Sequence, residues 1–222
     1  MPRAAFEALF AASGATHLYV VARAHDELRT ALGGACFVQP GLLKMKLQAH
    51  AQHPLIRALR GDDERVASVF DGTLGLAADA MHAACVLGCD ILGTEASPVL
   101  FSLLEEGLAR LARELPAIAR VRPRCGEAHA ELARLADGAV DVVVLDPMMS
   151  HPKRSTPSFE VLRDVAHNER ASAALLCEAR RVARRRVVLK LGQGAPLPPD
   201  APYDFPRVER GRTVRYLVHD RA

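Results

Sequence analysis

The sequence predicts a doubly wound α/β sheet of five parallel strands, followed by a C-terminal antiparallel hairpin and preceded by a small α/β extension. Three observations carry that expectation. Residues 66–80, V-A-S-V-F-D-G-T-L-G-L-A-A-D-A, run a short β-branched and apolar strand into a turn holding Gly72 and Gly75, then into a small-residue helix near Leu76. Further strand-length apolar runs alternate with helical stretches downstream, as βαβ units require. The last two runs meet at Gly211-Arg212, where a hairpin turn fits.

In chain order, residues 1–12 read as a helix, His17 to Arg23 as a strand, His25 to Leu32 as a helix ended by Gly33-Gly34, and Ala35 to Gln39 as a strand. Residues 42–60 form a basic, partly helical connector broken at Pro54, whose Lys44, Lys46, His50, His53, Arg57 and Arg60 face either substrate or solvent. Residues 1–60 are therefore taken as an N-terminal extension and connector, and 61–222 as the main domain. After the Val66–Phe70 strand come a strand at Cys89–Gly93 and a helix from Val99 to Leu115, with Ser97 as N-cap and Pro98 at its first position. A strand near Ala119–Arg124 precedes a helix at Glu131–Ala136. Val140–Leu145, V-D-V-V-V-L, is the clearest buried strand. A helix at Ala171–Arg185, a strand at Arg186–Leu191, a proline-rich loop at 196–202 and the hairpin strands Phe205–Arg210 and Thr213–His219 complete the chain.

Composition narrows the function classes. With 222 residues, half of them hydrophobic and a quarter charged, the chain suits one sizeable globular core. No apolar run approaches a membrane span, and the first fifteen residues read as an amphipathic helix rather than a signal peptide. Five cysteines without paired spacing suit a reducing cytoplasm. Charge is uneven: residues 1–150 hold 18 acidic against 14 basic side chains, and residues 151–222 hold 8 against 15. A basic region of this kind is either the footprint of a polyanion or a solvated arginine face. His82, Cys85 and Cys89 have a spacing reminiscent of metal ligands, but with no second ligand pair they read as core residues. The chain has neither a G-x-S-x-G elbow nor a G-x-x-x-x-G-K-[ST] loop.

In open α/β sheets, ligands bind at the carboxyl ends of the strands. Acids fall there four times in register: Asp71, Glu95, Glu127 and Asp146. Glu95 stands 24 residues beyond Asp71, about the separation at which a carboxylate meets a ribose diol.

The ordered segments D-G-T-L-G-L-A-A-D-A, G-T-E-A-S-P-V, L-D-P-M-M-S-H-P-K-R-S and R-R-V-V-L-K together resemble class I S-adenosylmethionine (SAM)-dependent methyltransferases. More narrowly they resemble the bacterial small-subunit ribosomal RNA (guanine-N2) methyltransferase J family. The resemblance covers roughly Val66 to Leu191 and implies a Rossmann-like, seven-stranded sheet. It implies SAM as cofactor, with Asp71, Gly72, Thr73 and Gly75 along its methionine moiety and Asp79 supporting the turn. Glu95, followed by Ala96, would accept the ribose hydroxyls, and Glu127 would lie near the adenine amine. Asp146, Pro147 and Met148 would form the catalytic loop. Met149, His151, Lys153, Arg154 and Lys190 would meet the substrate, an RNA base amine of the ribosome, with no metal or membrane involved. Such an amine is a poor nucleophile, because its lone pair is delocalised into the ring, and positioning beside an acceptor carboxylate suffices to aim it. Two departures stand out: Ala77 replaces a usual glycine where backbone and cofactor approach, and Met149 replaces the usual aromatic. Methylation of a small molecule or protein, or SAM or RNA binding without turnover, are the alternatives.

Overall fold

The computed structural model describes residues 3–62, 65–147, 157–167 and 171–221. Its N-terminal part holds α1 (Arg3–Ser13) and a three-stranded antiparallel sheet of β1 (His17–Val20), β2 (Glu27–Thr30) and β3 (Ala35–Cys36). The helix expected over His25–Leu32 is therefore a strand. That stretch has only two strongly apolar side chains, and they part company: Leu28 is 2% exposed and Leu32 is 99% exposed. A helix would have set these two residues on one face. In the strand, Leu28 alone turns inward, and pairing with β1 from His17↔Thr30 to Val20↔Glu27 satisfies the backbone. Gly33, at φ +87°, closes the turn that follows.

The connector is α2 (Pro40–Ala49), a 3-10 turn at His50–Gln52 and α3 (Pro54–Arg60). Pro54 opens α3 rather than merely breaking a helix, since its missing N–H is one that the first turn does not need. His53 caps α3 by accepting the Leu55 N–H. α3 buries Leu55, Ile56, Ala58 and Leu59 and packs against the last two strands of the chain. Its Arg57 does not face a substrate: Nε donates to Glu209 at 2.8 Å.

The main sheet comprises β4 (Ser68–Asp71), β5 (Asp90–Glu95), β6 (Val121–Cys125), β7 (Val140–Leu145), β8 (Ala183–Gly192), β9 (Arg207–Arg210) and β10 (Val214–Asp220). The order is β6-β5-β4-β7-β8-β10-β9. The first five are parallel, and β10 inserts antiparallel between β8 and β9. Helices α4 (Ala78–Leu87), α5 (Pro98–Ala112), α6 (Ala128–Ala133), α7 (Pro157–Val165) and α8 (Ala173–Val182) complete the fold. β7 is buried at every position because both its faces are covered. Val142 and Val144 join Leu55, Ile56 and Met81 in one core layer, while Val143 and Leu145 join Leu132, Leu176 and Leu189 in the other. Ser97 caps α5 as expected.

The arginine run 180–186 lies at the end of α8 and the start of β8, opposite the carboxyl ends of the parallel strands. Much of it is structural. Arg181 holds Glu178 and Asp137, Arg185 pairs with Asp141, and Arg186 pairs with Asp220. None of the helices among the described residues is long and apolar enough to cross a membrane.

Candidate active site

β4, β5 and β7 deliver Asp71, Glu95 and Asp146 to one cavity of about 340 Å³. Its floor is the turn between β4 and α4, and three hydrogen bonds fix that turn to the strands on its two sides, β7 and β5. The Gly72 N–H donates to the Val144 carbonyl at 2.9 Å, and the Leu74 N–H donates to Thr94 at 2.8 Å. The Thr94 hydroxyl donates to the Gly72 carbonyl at 3.0 Å. The two glycines serve different ends. A Cβ on Gly72 would stand 2.7 Å from Leu145 and 3.0 Å from Ala128, so packing demands glycine there. Gly75 adopts φ +52° with open space where a Cβ would point, so conformation demands it.

Ala77, at φ +54°, is left-handed without being glycine, which costs about 1 kcal/mol. Its methyl group is buried in the core layer beneath α4 and takes no part in the cavity wall. The cost of alanine in place of glycine at this position is therefore one of backbone conformation.

The acids are held in distinct ways. Glu95 accepts the Gly75 N–H at 3.1 Å on one oxygen and the Ser97 N–H at 2.8 Å on the other. A carboxylate has about four lone-pair sites, so two remain for hydroxyl donors. Burial raises the Glu95 pKa against these two donors. Asp71 is buried and accepts the Thr73 N–H at 3.0 Å. Burial, with Asp79 and Asp146 nearby, pushes its pKa up to about 7, although the Thr73 bond and Lys190 pull the other way.

Asp146 is set from two directions. Its N–H donates to the Thr73 hydroxyl at 2.7 Å, and its carboxylate receives the Lys190 ammonium at 2.5 Å. Lys190 also donates to Asp79 at 2.8 Å. Burial alone would lower the Lys190 pKa, but the carboxylates of Asp146 and Asp79 outweigh it and hold it well above the ordinary lysine value. Lys190 is therefore a permanent cation, already engaged, and is unsuited to act as a general base.

Of the residues singled out in the sequence, the cavity brings together Asp71, Gly72, Thr73, Gly75, Asp79, Glu95, Ala96, Asp146 and Lys190. Pro147 follows directly, half-buried but outside the cavity wall. Glu127 also stands off the wall, with its side chain 59% exposed and 3.6 Å from His167. Met148, Met149, His151, Lys153 and Arg154 lie outside the described residues. Wall residues the sequence did not single out include Leu100 of α5, Leu162 of α7 with Ala166 and His167 after it, and Val214 of β10. The signal for α7 was present as Phe159, Leu162 and Val165, three apart.

A bound SAM needs a close-fitting glycine turn, an acceptor for a ribose diol, apolar walls for a purine, and acids facing a sulfonium and an ammonium. The cavity is lined by residue types suited to each: the turn at 72–76, Glu95, the apolar side chains Leu100 and Leu162, and Asp71 with Asp146. Fold and site together define a class I SAM-dependent methyltransferase.

The comparisons agree. A family model described as a putative SAM-dependent methyltransferase matches residues 36–218. Ribosomal RNA small subunit methyltransferase J of Chromohalobacter salexigens is 38% identical over 161 residues, which cover 68% of this chain and 62% of the relative. The uncharacterized protein YpiP of Bacillus subtilis is 30% identical over 185 residues, covering 78% of this chain and 70% of YpiP. A SAM-dependent methyltransferase structure from Neisseria gonorrhoeae shares the fold, with a TM-score of 0.67 at 23% identity over 88% of this chain and 79% of that one. The chain belongs to the SAM-dependent methyltransferase family.

Proposed function

We propose that this protein methylates an exocyclic base amine of ribosomal RNA, with Asp146 as the group that positions the amine. The observation that carries the reading is Asp146 just after β7, its backbone N–H held by Thr73 and its carboxylate by Lys190, on the cavity wall shared with Asp71 and Glu95. The relative named ribosomal RNA small subunit methyltransferase J, at 38% identity, supports the choice of substrate.

When bound, SAM supplies an electrophilic methyl group on a sulfonium. The residues of this chain do the rest. Thr73, Gly75 and Asp71 would hold its methionine end, and Glu95 its ribose. Asp146 accepts an N–H of the incoming amine, which turns the nitrogen lone pair toward the methyl, and takes the proton the nitrogen loses. Lys190 keeps the Asp146 carboxylate in place throughout. Preorganised electrostatics of this kind supply most of the rate in reactions that need no covalent enzyme intermediate.

The test is methyl transfer by the purified protein to protein-free small-subunit ribosomal RNA from cells lacking the gene, read by nucleoside mass spectrometry. A new methylated nucleoside is expected. Cofactor binding without transfer to that RNA or to intact small subunits would overturn the substrate assignment.

A further inference from the structure

Most of the arginines in the basic third are engaged, but three at the cavity end of the sheet are not accounted for in that way. Arg210 ends β9, Arg212 lies in the hairpin turn, and Arg215 is the second residue of β10. The turn sits at the carboxyl end of β8, since Val214 pairs with Gly192 and the Gln193 side chain donates to the Gly211 and Val214 carbonyls. Val214, next to Arg215, lines the cavity beside Lys190.

Arg210 and Arg215 are directly opposed across β9 and β10. Like charges in that position are destabilising, and neither makes an ion pair among the described residues. Glu209 is on the alternate face, paired with Arg57 and Arg207. Asp200, in the loop after β8, accepts the Ala173 N–H. Arg215 donates one N–H to the Ala195 carbonyl at 2.7 Å, while its buried Nε has no hydrogen-bond partner among the described residues. Arg210 and Arg212 are exposed and make no ion pair among the described residues.

We infer that Arg210, Arg212 and Arg215 form an anion-binding rim that grips the phosphate backbone of the RNA entering the cavity. The inference rests on the RNA reading above. An entering phosphate relieves the Arg210–Arg215 repulsion and supplies acceptors for the exposed guanidinium groups of Arg210 and Arg212. Guanidinium groups suit it because their planar donor sets match phosphate oxygens. The rim would position the RNA without reading its sequence.

The test is fluorescence anisotropy of the full chain with in vitro transcribed small-subunit ribosomal RNA across a salt series, beside methyl transfer to the same RNA. Because both side chains are exposed, the double variant Arg210→Ala, Arg212→Ala is expected to fold and to bind cofactor like wild type. Its RNA affinity should fall about tenfold or more at low salt, and the slope of log K against log salt should shrink by about two, one for each lost phosphate contact. Arg215→Gln should shrink it by about one. Arg180→Ala, at the far end of α8, should leave the slope unchanged. Equal loss in Arg180→Ala, or wild-type affinity and slope in the double variant, would overturn the rim. If wild type binds and the double variant loses slope but no methyl reaches the RNA, the rim stands and the methylation reading falls. If wild type neither binds nor methylates the RNA, both fall.

Discussion

The Lys190 ammonium stands 2.5 Å from a carboxylate oxygen of Asp146 and 2.8 Å from one of Asp79. One half-buried cation thus joins the first turn of α4 to the end of β7, across the central strand pair. Removing one partner of such an arrangement strands the others, whereas an isosteric neutral change at Asp146 leaves the Lys190–Asp79 pair in place. Asp146→Asn therefore isolates the chemistry. Turnover should fall by about two orders of magnitude or more, because an amide is a weaker acceptor and cannot take the proton. Cofactor affinity should stay within a few-fold. Single-turnover transfer alongside cofactor titration checks this, and near-wild-type transfer removes Asp146 from the reaction.

Glu95 has two tasks, and the second makes its substitution more costly than a simple loss of ribose contact. Its two oxygens satisfy the N–H groups of Gly75 and Ser97, which tie the glycine turn to the start of α5. An unsatisfied buried donor costs about 1–3 kcal/mol. Glu95→Ala should therefore lose both cofactor affinity and thermal stability, whereas Glu95→Gln, which keeps one oxygen, should lose less of each. Melting curves with and without cofactor separate the effects. An alanine variant with wild-type melting and affinity would exclude both roles.

Asp71 makes cofactor binding depend on pH. Its folded pKa, about 7, lies above the ordinary carboxylate value because it is buried. The folded protein therefore holds a proton that the unfolded chain has released, and this group's contribution to stability declines as pH rises from about 4 to about 7. A cationic ligand beside Asp71 favours the carboxylate and expels that proton. Affinity for SAM should thus increase between about pH 6 and about pH 8 and level off above. Calorimetry in buffers of different ionisation enthalpy reads the proton release directly. Asp71→Asn should abolish that component, and an unchanged release in this variant would assign it to another group.

What the sequence disclosed, and what it did not, follows from how local each determinant is. β7 was legible to its last residue because both its faces are buried and its β-branched run has no competing period. Ser97-Pro98 announced α5, because capping is decided within a few residues. β2 was not legible: four residues of mixed burial have no periodicity, and only pairing with β1 makes them a strand. At the site, Asp71, Glu95, Asp146 and Lys190 could be placed by counting from strand ends, but the pairing of Lys190 could not. Its two carboxylate partners come from residues 44 and 111 positions away in the chain. The arginine run left two readings open for a related reason, since Asp137, Asp141 and Asp220 neutralise it only in three dimensions.

Gly107 tests whether the N-terminal sheet is built onto the methyltransferase core or merely tethered to it. It lies on the buried side of α5, where a Cβ would stand 2.3 Å from Val38 just beyond β3. Arg110, one turn later, donates to the Val38 carbonyl at 2.9 Å, so the absent side chain lets this segment lie directly on the helix. Two effects oppose each other in Gly107→Ala. Helix propensity favours alanine by about 1 kcal/mol, while overpacking of a closed contact costs about 1–3 kcal/mol. The contact is with a stiff β-branched side chain, so the second effect should win and the variant should melt lower. Adding Val38→Gly, which removes the Cβ standing closest as well as both methyl groups, should recover part of that loss by making room, which a double-mutant cycle reads as a coupling of opposite sign to the single losses. The same α5 carries Leu100 into the cavity wall and, through Leu103, into the cluster with Leu28, Cys36 and Val161. A lower cofactor affinity in Gly107→Ala, restored in the double variant, would connect the N-terminal sheet to the active site. Independent, additive effects would leave it a separate appendage.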